Sequence, residues 1–135
     1  MALTADRNTL RKDGELIAVP MAANAKIFAG GIVVANATGY AAPGSVATTL
    51  TFLGAAEEYK DNTGGADGAK TILVRRKRAF KWKNYATDLV TQAETGKTCY
   101  IVDDEQVAKT NGTSTRSAAG KVLGVESDGV WVEAQ

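Results

Sequence analysis

Histidine is absent from the 135 residues of the chain. That removes the commonest general base, the usual partner of a serine or cysteine nucleophile, and the commonest zinc ligand. Most hydrolase and metal-site arrangements go with it, and the sequence predicts no catalytic residues, no metal and no cofactor. Cysteine is nearly absent too. Cys99 stands alone and cannot close an internal disulfide, and its apolar setting in Cys99-Tyr100-Ile101-Val102 predicts a buried thiol, not a reactive one. There is no excess charge of either sign: 16 Lys and Arg stand against 15 Asp and Glu. No global field therefore draws the protein to DNA or to an anionic membrane, and any electrostatic preference has to be local. Long apolar runs are missing as well. Stretches such as Ile32-Val33-Val34-Ala35 fall far short of the roughly 20 residues a membrane-spanning helix needs. The opening Met1-Ala2-Leu3-Thr4-Ala5-Asp6-Arg7 lacks the apolar core of a signal peptide. These features predict a soluble protein made in the cytoplasm, with no membrane partner.

What remains is the size of one domain. Residues 1–15 carry Leu3 and Leu10 among Thr4, Asp6, Arg7, Asn8, Thr9, Arg11, Lys12 and Asp13. Such a segment buries too little apolar area to offset its ordering entropy, so it predicts an extended N-terminal arm, loose until a partner holds it. Residues 16–135 predict a single β-rich domain. Eight short runs rich in β-branched and aromatic residues read as strands: 16–19, 31–34, 50–53, 71–74, 79–82, 98–102, 121–125 and 130–132. Turn chemistry separates them at Asn36–Gly39, Pro43-Gly44, Asn62–Gly68, Asn111-Gly112 and Ser127-Asp128-Gly129, the last being the clearest hairpin signal. Only Tyr85 to Glu94 offers a short helix, ended by Gly96, and its β-branched residues weaken it. The expected fold class is all-β: a small β-barrel or β-tulip-like domain with an extended N-terminal arm and at most one short helix.

The most conspicuous local feature is Arg75-Arg76-Lys77-Arg78-Ala79-Phe80-Lys81-Trp82-Lys83, which holds six of the 16 cationic residues. Cations interleaved with aromatics suit a single-stranded nucleic-acid platform, with charges on phosphates and rings stacked on bases. Strand geometry offers a plainer account. Phe80 and Trp82 share one face while Lys81 and Lys83 share the other, and Arg76 and Arg78 then have to leave the core through a turn or bulge near Lys77. A protein partner bearing acidic groups, or a solvated sheet edge, fits that reading. Glu57-Glu58 point apart if extended, and Asp103-Asp104-Glu105-Gln106 reads as a turn, so neither pair predicts catalysis. The loop Asn62–Gly68 lacks the Gly-Lys-Ser/Thr ending of a phosphate cradle and reads as a long, mobile hairpin connection.

The order of the pieces carries a resemblance. Ala25 through Val34, Gly39-Tyr40-Ala41-Ala42-Pro43-Gly44, Phe52-Leu53-Gly54-Ala55-Ala56-Glu57, then Val74 through Trp82, resembles the small decoration (cement) proteins of tailed-bacteriophage heads, and the closing Gly96–Asp104, Ala119–Val125 and Gly129–Val132 is similar to a group of prophage-encoded structural proteins. The likeness spans about residues 16 to 133. It implies a compact β-barrel or β-tulip domain, often trimeric, seated at junctions between major capsid subunits after head expansion. It also implies an N-terminal arm that becomes ordered on the capsid. The Arg75–Arg78 run is more basic than that layout usually is.

Together the two lines predict a non-catalytic virion protein on the capsid outer surface, with the major capsid protein and sister copies as partners and no direct nucleic acid. The contact residues expected are Leu3, Arg7, Leu10, Arg11 and Lys12 of the arm, and Arg75, Arg76, Lys77 and Arg78 of the basic strand. The rival expectations are a single-stranded nucleic-acid-binding β-barrel and another phage structural subunit, a tail tube or head fibre.

Overall fold

A computed structural model describes residues 2–133. Met1, at the head of the expected arm, and Ala134 and Gln135, at the end of the expected domain, lie outside the described residues. The strands are β1 (Leu16–Pro20), β2 (Lys26–Ile27), β3 (Ile32–Ala35), β4 (Ala41–Pro43), β5 (Thr51–Ala56), β6 (Lys60–Asp61), β7 (Thr71–Arg75), β8 (Ala79–Asn84), β9 (Thr98–Ile101), β10 (Gln106–Ala108), β11 (Ala118–Glu126) and β12 (Gly129–Glu133). Each of the eight expected runs is a strand. The other four, β2, β4, β6 and β10, are two or three residues long, too short to show an alternating pattern.

The strands form an open antiparallel sheet, a closed barrel and a small pair. The open sheet runs β1-β7-β5-β3-β4, the barrel runs β10-β8-β12-β11-β9 and closes on itself, and β2 pairs with β6. All barrel pairings are antiparallel except β8 with β10. The hairpin expected at Ser127-Asp128-Gly129 joins β11 to β12, with Glu126 opposite Gly129.

Two apolar cores sit on opposite faces of the open sheet. One fills the barrel with Trp82, Cys99, Ile101, Val107, Val122, Val130 and Val132, and takes Ile32, Val34 and Ala55 from the sheet. The other lies on the far face, where Val33, Ala56, Ile72 and Val74 pack under Met21, Ala25 and Ile27. This explains the unbroken Ile32-Val33-Val34: successive side chains of β3 point to opposite faces, and all three are fully buried because each face has a core.

Where β3 meets β5 the register slips between Val33 and Val34, a β-bulge that re-aims the strand. Gly54 sits opposite Val33 at the slip with φ +158, and a side chain there would overlap the Arg75 carbonyl oxygen. The position takes glycine because the β7 backbone occupies the space of a Cβ.

Two expectations need correction. Tyr85 to Glu94 is not an α-helix: Tyr85 leads into a turn, and only Gln92–Glu94 forms a single turn of 3-10 helix. Local side chains have taken the backbone groups a helix would use. The Asn84 amide bonds both the N–H and the C=O of Val90, each at 2.8 Å, and Glu94 accepts from the Thr91 N–H and hydroxyl at 2.7 and 2.6 Å. Nor is Asn62–Gly68 a loose hairpin connection. The Asn62 side chain, 1% exposed, donates to the carbonyls of Ala22 and Ala66 at 2.9 and 3.1 Å. Gly64 N–H donates to Asn24 at 2.8 Å, Ala23 N–H to Asp67 at 2.8 Å, and Gly68 N–H to the Met21 carbonyl at 2.8 Å. The loop is bolted to residues 21–24.

Candidate functional site

The basic run is not one strand. β7 ends at Arg75, Lys77 takes a left-handed conformation at φ +57, and the chain re-enters order at β8 in a different sheet. The turn expected near Lys77 is thus the crossing from open sheet to barrel. Arg75 Nε donates to Glu57 Oε1 at 3.2 Å. Arg76 donates its backbone N–H to the Glu15 carbonyl at 2.7 Å and its Nη1 to the Gly14 carbonyl at 3.3 Å. Arg78 Nη2 donates to Glu15 Oε2 at 3.0 Å. Farther on, Lys81 meets Asp128 at 2.9 Å and Lys83 meets Glu105 at 2.6 Å. Of the six cations, Lys77 alone has no hydrogen bond or ion pair among the described residues. Of the four residues expected to touch a partner, Arg76 and Arg78 grip the root of the arm and tie it to the crossing between the two layers, Arg75 is held by Glu57, and Lys77 is left without a partner among the described residues.

The alternation along β8 is as expected. Phe80 is half-buried and Trp82 buried, while Lys81 and Lys83 are exposed. The two rings lie 5.6 Å apart, and Trp82 meets Phe52 edge-on at 6.4 Å. These rings belong to the barrel core and do not form a surface platform with the cations.

The arm itself is laid bare. Residues 2–13 are exposed and belong to no strand. Their internal order amounts to one backbone bond, Thr9 N–H to the Arg7 carbonyl at 3.1 Å, and the Asp13 side chain capping Glu15 N–H at 3.0 Å. Leu3 is 73% exposed and Leu10 90%. Arg7, Arg11 and Lys12 meet no carboxylate among the described residues. The arm residues are thus brought near the basic run only at the root, Gly14 and Glu15.

One surface feature escaped the sequence. Phe28 and Tyr59 are 56% and 51% exposed, yet their rings lie 5.3 Å apart, inclined at 38°. They meet because Ile27 pairs with Lys60 in the β2–β6 ladder, a pairing of two-residue strands that leaves no periodic signal. Phe28 also walls a cleft of about 230 Å³ with Gly30, Gly31, Asp104 and Glu105. The acidic turn opposite has divided roles. Asp103 accepts from the N–H groups of Glu105 and Gln106, both at 2.8 Å, and Glu105 is paired with Lys83. Asp104 has no cation or side-chain donor among the described residues. Burial, then the neighbouring Asp103 charge, pushes its carboxyl above the usual range. A second cleft, about 250 Å³, lies between Leu50–Phe52 of the open sheet and Thr98 and Ala118–Lys121 of the barrel.

Among the described residues no group of three or more His, Cys, Asp or Glu is placed to hold a metal, and no helix is long and apolar enough to cross a membrane. Cys99 is fully buried, and burial pushes its thiol up to about 12. The thiolate is the reactive form, so Cys99 is expected to resist a disulfide-exchange reagent at pH 8 in the native protein and to react once unfolded in urea. Rapid native labelling would contradict the buried position.

The fold defines an all-β protein in which a five-stranded closed barrel is carried on one face of an open five-stranded sheet, with an exposed arm rooted where the two join. The chain matches no protein-family model, no curated protein and no solved structure.

Proposed function

We propose that this protein is a non-catalytic structural component of a bacteriophage virion. In this reading it binds the outer surface of the expanded head and stabilises contacts between major capsid subunits. The observation that carries the reading is the arm, which exposes two leucines and three cations over residues 2–13 while its root is held by a dedicated basic clasp. An exposed apolar segment so placed gains its stabilising contacts from another molecule. Leu3 and Leu10 act as anchors, and Arg7, Arg11 and Lys12 face carboxylates on neighbouring subunits. The domain works as a homo-oligomer, a trimer on the resemblance, so that several modest contacts combine through effective concentration. The burial of Trp82 and the internal pairing of Arg75 and Arg78 favour a protein partner over single-stranded nucleic acid.

Removing residues 1–12, which spares the Asp13–Glu15 root, is expected to abolish cosedimentation with expanded heads. The full-length double variant Leu3→Asp/Leu10→Asp is expected to do the same with an unchanged urea unfolding midpoint. Undiminished head binding by both proteins would overturn the reading.

A further inference from the structure

The arm and the Phe28 cleft have complementary deficits. The cleft is walled by the Phe28 ring, which leans on the exposed Tyr59 ring, and by a half-buried carboxylate, Asp104, that meets no cation among the described residues. The arm offers an exposed leucine flanked by cations, Leu10-Arg11-Lys12, that meet no carboxylate. A half-buried carboxylate favours a guanidinium over water when the geometry allows a charge-assisted hydrogen bond, and an aromatic pair suits both a leucine side chain and the face of an arginine.

We propose that the proximal half of the arm, around Leu10 and Arg11, docks on the Phe28–Tyr59 ring pair and the adjoining Asp104 cleft of a second copy of this chain. Leu10 covers the ring pair and Arg11 pairs with Asp104. The arm does not touch the cleft of its own chain, since residues 2–13 are exposed throughout. Its root and the cleft lie at different places on the domain. Leu16, Arg75, Ala55 and Ile32 form a row across the open sheet, so three interstrand steps, about 14 Å, separate the arm's exit from the residue that follows the cleft glycines. An arm leaving one site and entering another is repeated either reciprocally, in a two-fold dimer, or head to tail, closing into a ring when its rotation permits. An extended segment reaches about 3.3 Å per residue, so Leu10 and Arg11 stand roughly 10–17 Å out from the root at Gly14 and Glu15, and Leu3 to Arg7 reach farther still. The proposal deepens the reading above by making a sister copy one of the neighbours that the arm crosses, with the distal Leu3–Arg7 left for the shell.

The test needs no heads, so its outcome is separable from that of the head-binding assay. By sedimentation velocity, the full-length protein is expected to be oligomeric. An arm variant, Leu10→Asp/Arg11→Glu, and a cleft variant, Tyr59→Ala/Asp104→Arg, are each expected to associate at least ~10-fold more weakly and run as monomers. Mixed one to one, the two variants are expected to form a heterodimer, because the cleft variant retains an intact arm and the arm variant an intact cleft. Phe28→Ala alone, at an exposed ring, is expected to reproduce the loss if Asp104→Arg disturbs folding. A monomeric wild-type protein, including one whose arm is protected within its own chain, would overturn the proposal. So would variants that stay oligomeric, or a mixture that stays monomeric.

Discussion

Alanine at position 54 is expected to destabilise the fold by roughly 3 kcal/mol or more, at the upper end of overpacking effects. Its methyl group overlaps the Arg75 carbonyl oxygen and comes within 3.2 Å of Val74 Cγ1. Neither obstacle is a flexible side-chain tip. Relief requires β5 and β7 to separate where only Ala55 and Ala56 pair with Arg75 and Val74. The urea midpoint is expected to fall with little change in slope. Gly124→Ala is the control, since a Cβ there meets nothing within 4 Å and φ is not positive, and its midpoint is expected to stay put. Equal midpoints for the two variants would show that the bulge at Gly54 is not as tight as described.

Leucine at position 62 is expected to cost roughly 1–3 kcal/mol, because the carbonyls of Ala22 and Ala66 lose the Asn62 amide and keep only the N–H groups of Ala25 and Ala69. The damage should be local before it is global. Hydrogen exchange is expected to accelerate first at the N–H groups of Gly65 and Gly68, which bond Asn62 and Met21, while the barrel strands keep their protection. Uniform acceleration over both cores would contradict the account of Asn62 as the bolt of this loop.

Much of the fold is legible because strands report themselves through alternation and β-branched residues. Phe80 and Trp82 face the core, Lys81 and Lys83 do not, and the Ser127–Gly129 turn joins the strands on either side of it. Legibility fails where the determinants are distant in sequence. The basic run looks like a free patch until Glu15, 63 positions before Arg78, and Glu57, 18 before Arg75, are found against it. Asn62–Gly68 looks loose because its partners, Met21 to Asn24, lie some forty positions upstream. Tyr85–Glu94 looks helical because propensity does not register that Asn84 and Glu94 capture the local backbone. The aromatic cleft depends on a two-residue ladder and leaves no trace in any single segment.

The root of the arm also sets how the molecule bears tension. The arm runs directly into β1, which lies antiparallel to β7 from Leu16 opposite Arg75 to Pro20 opposite Thr71. A pull along the axis of β1 therefore loads that ladder in shear, with its bonds strained together, not unzipped one after another. Before the load reaches the ladder it meets the clasp of Arg76 and Arg78 on Gly14 and Glu15, which is fastened to the crossing between sheet and barrel. Force entering through the arm is thus spread into both layers at their seam, the arrangement of a tether anchored in a joint.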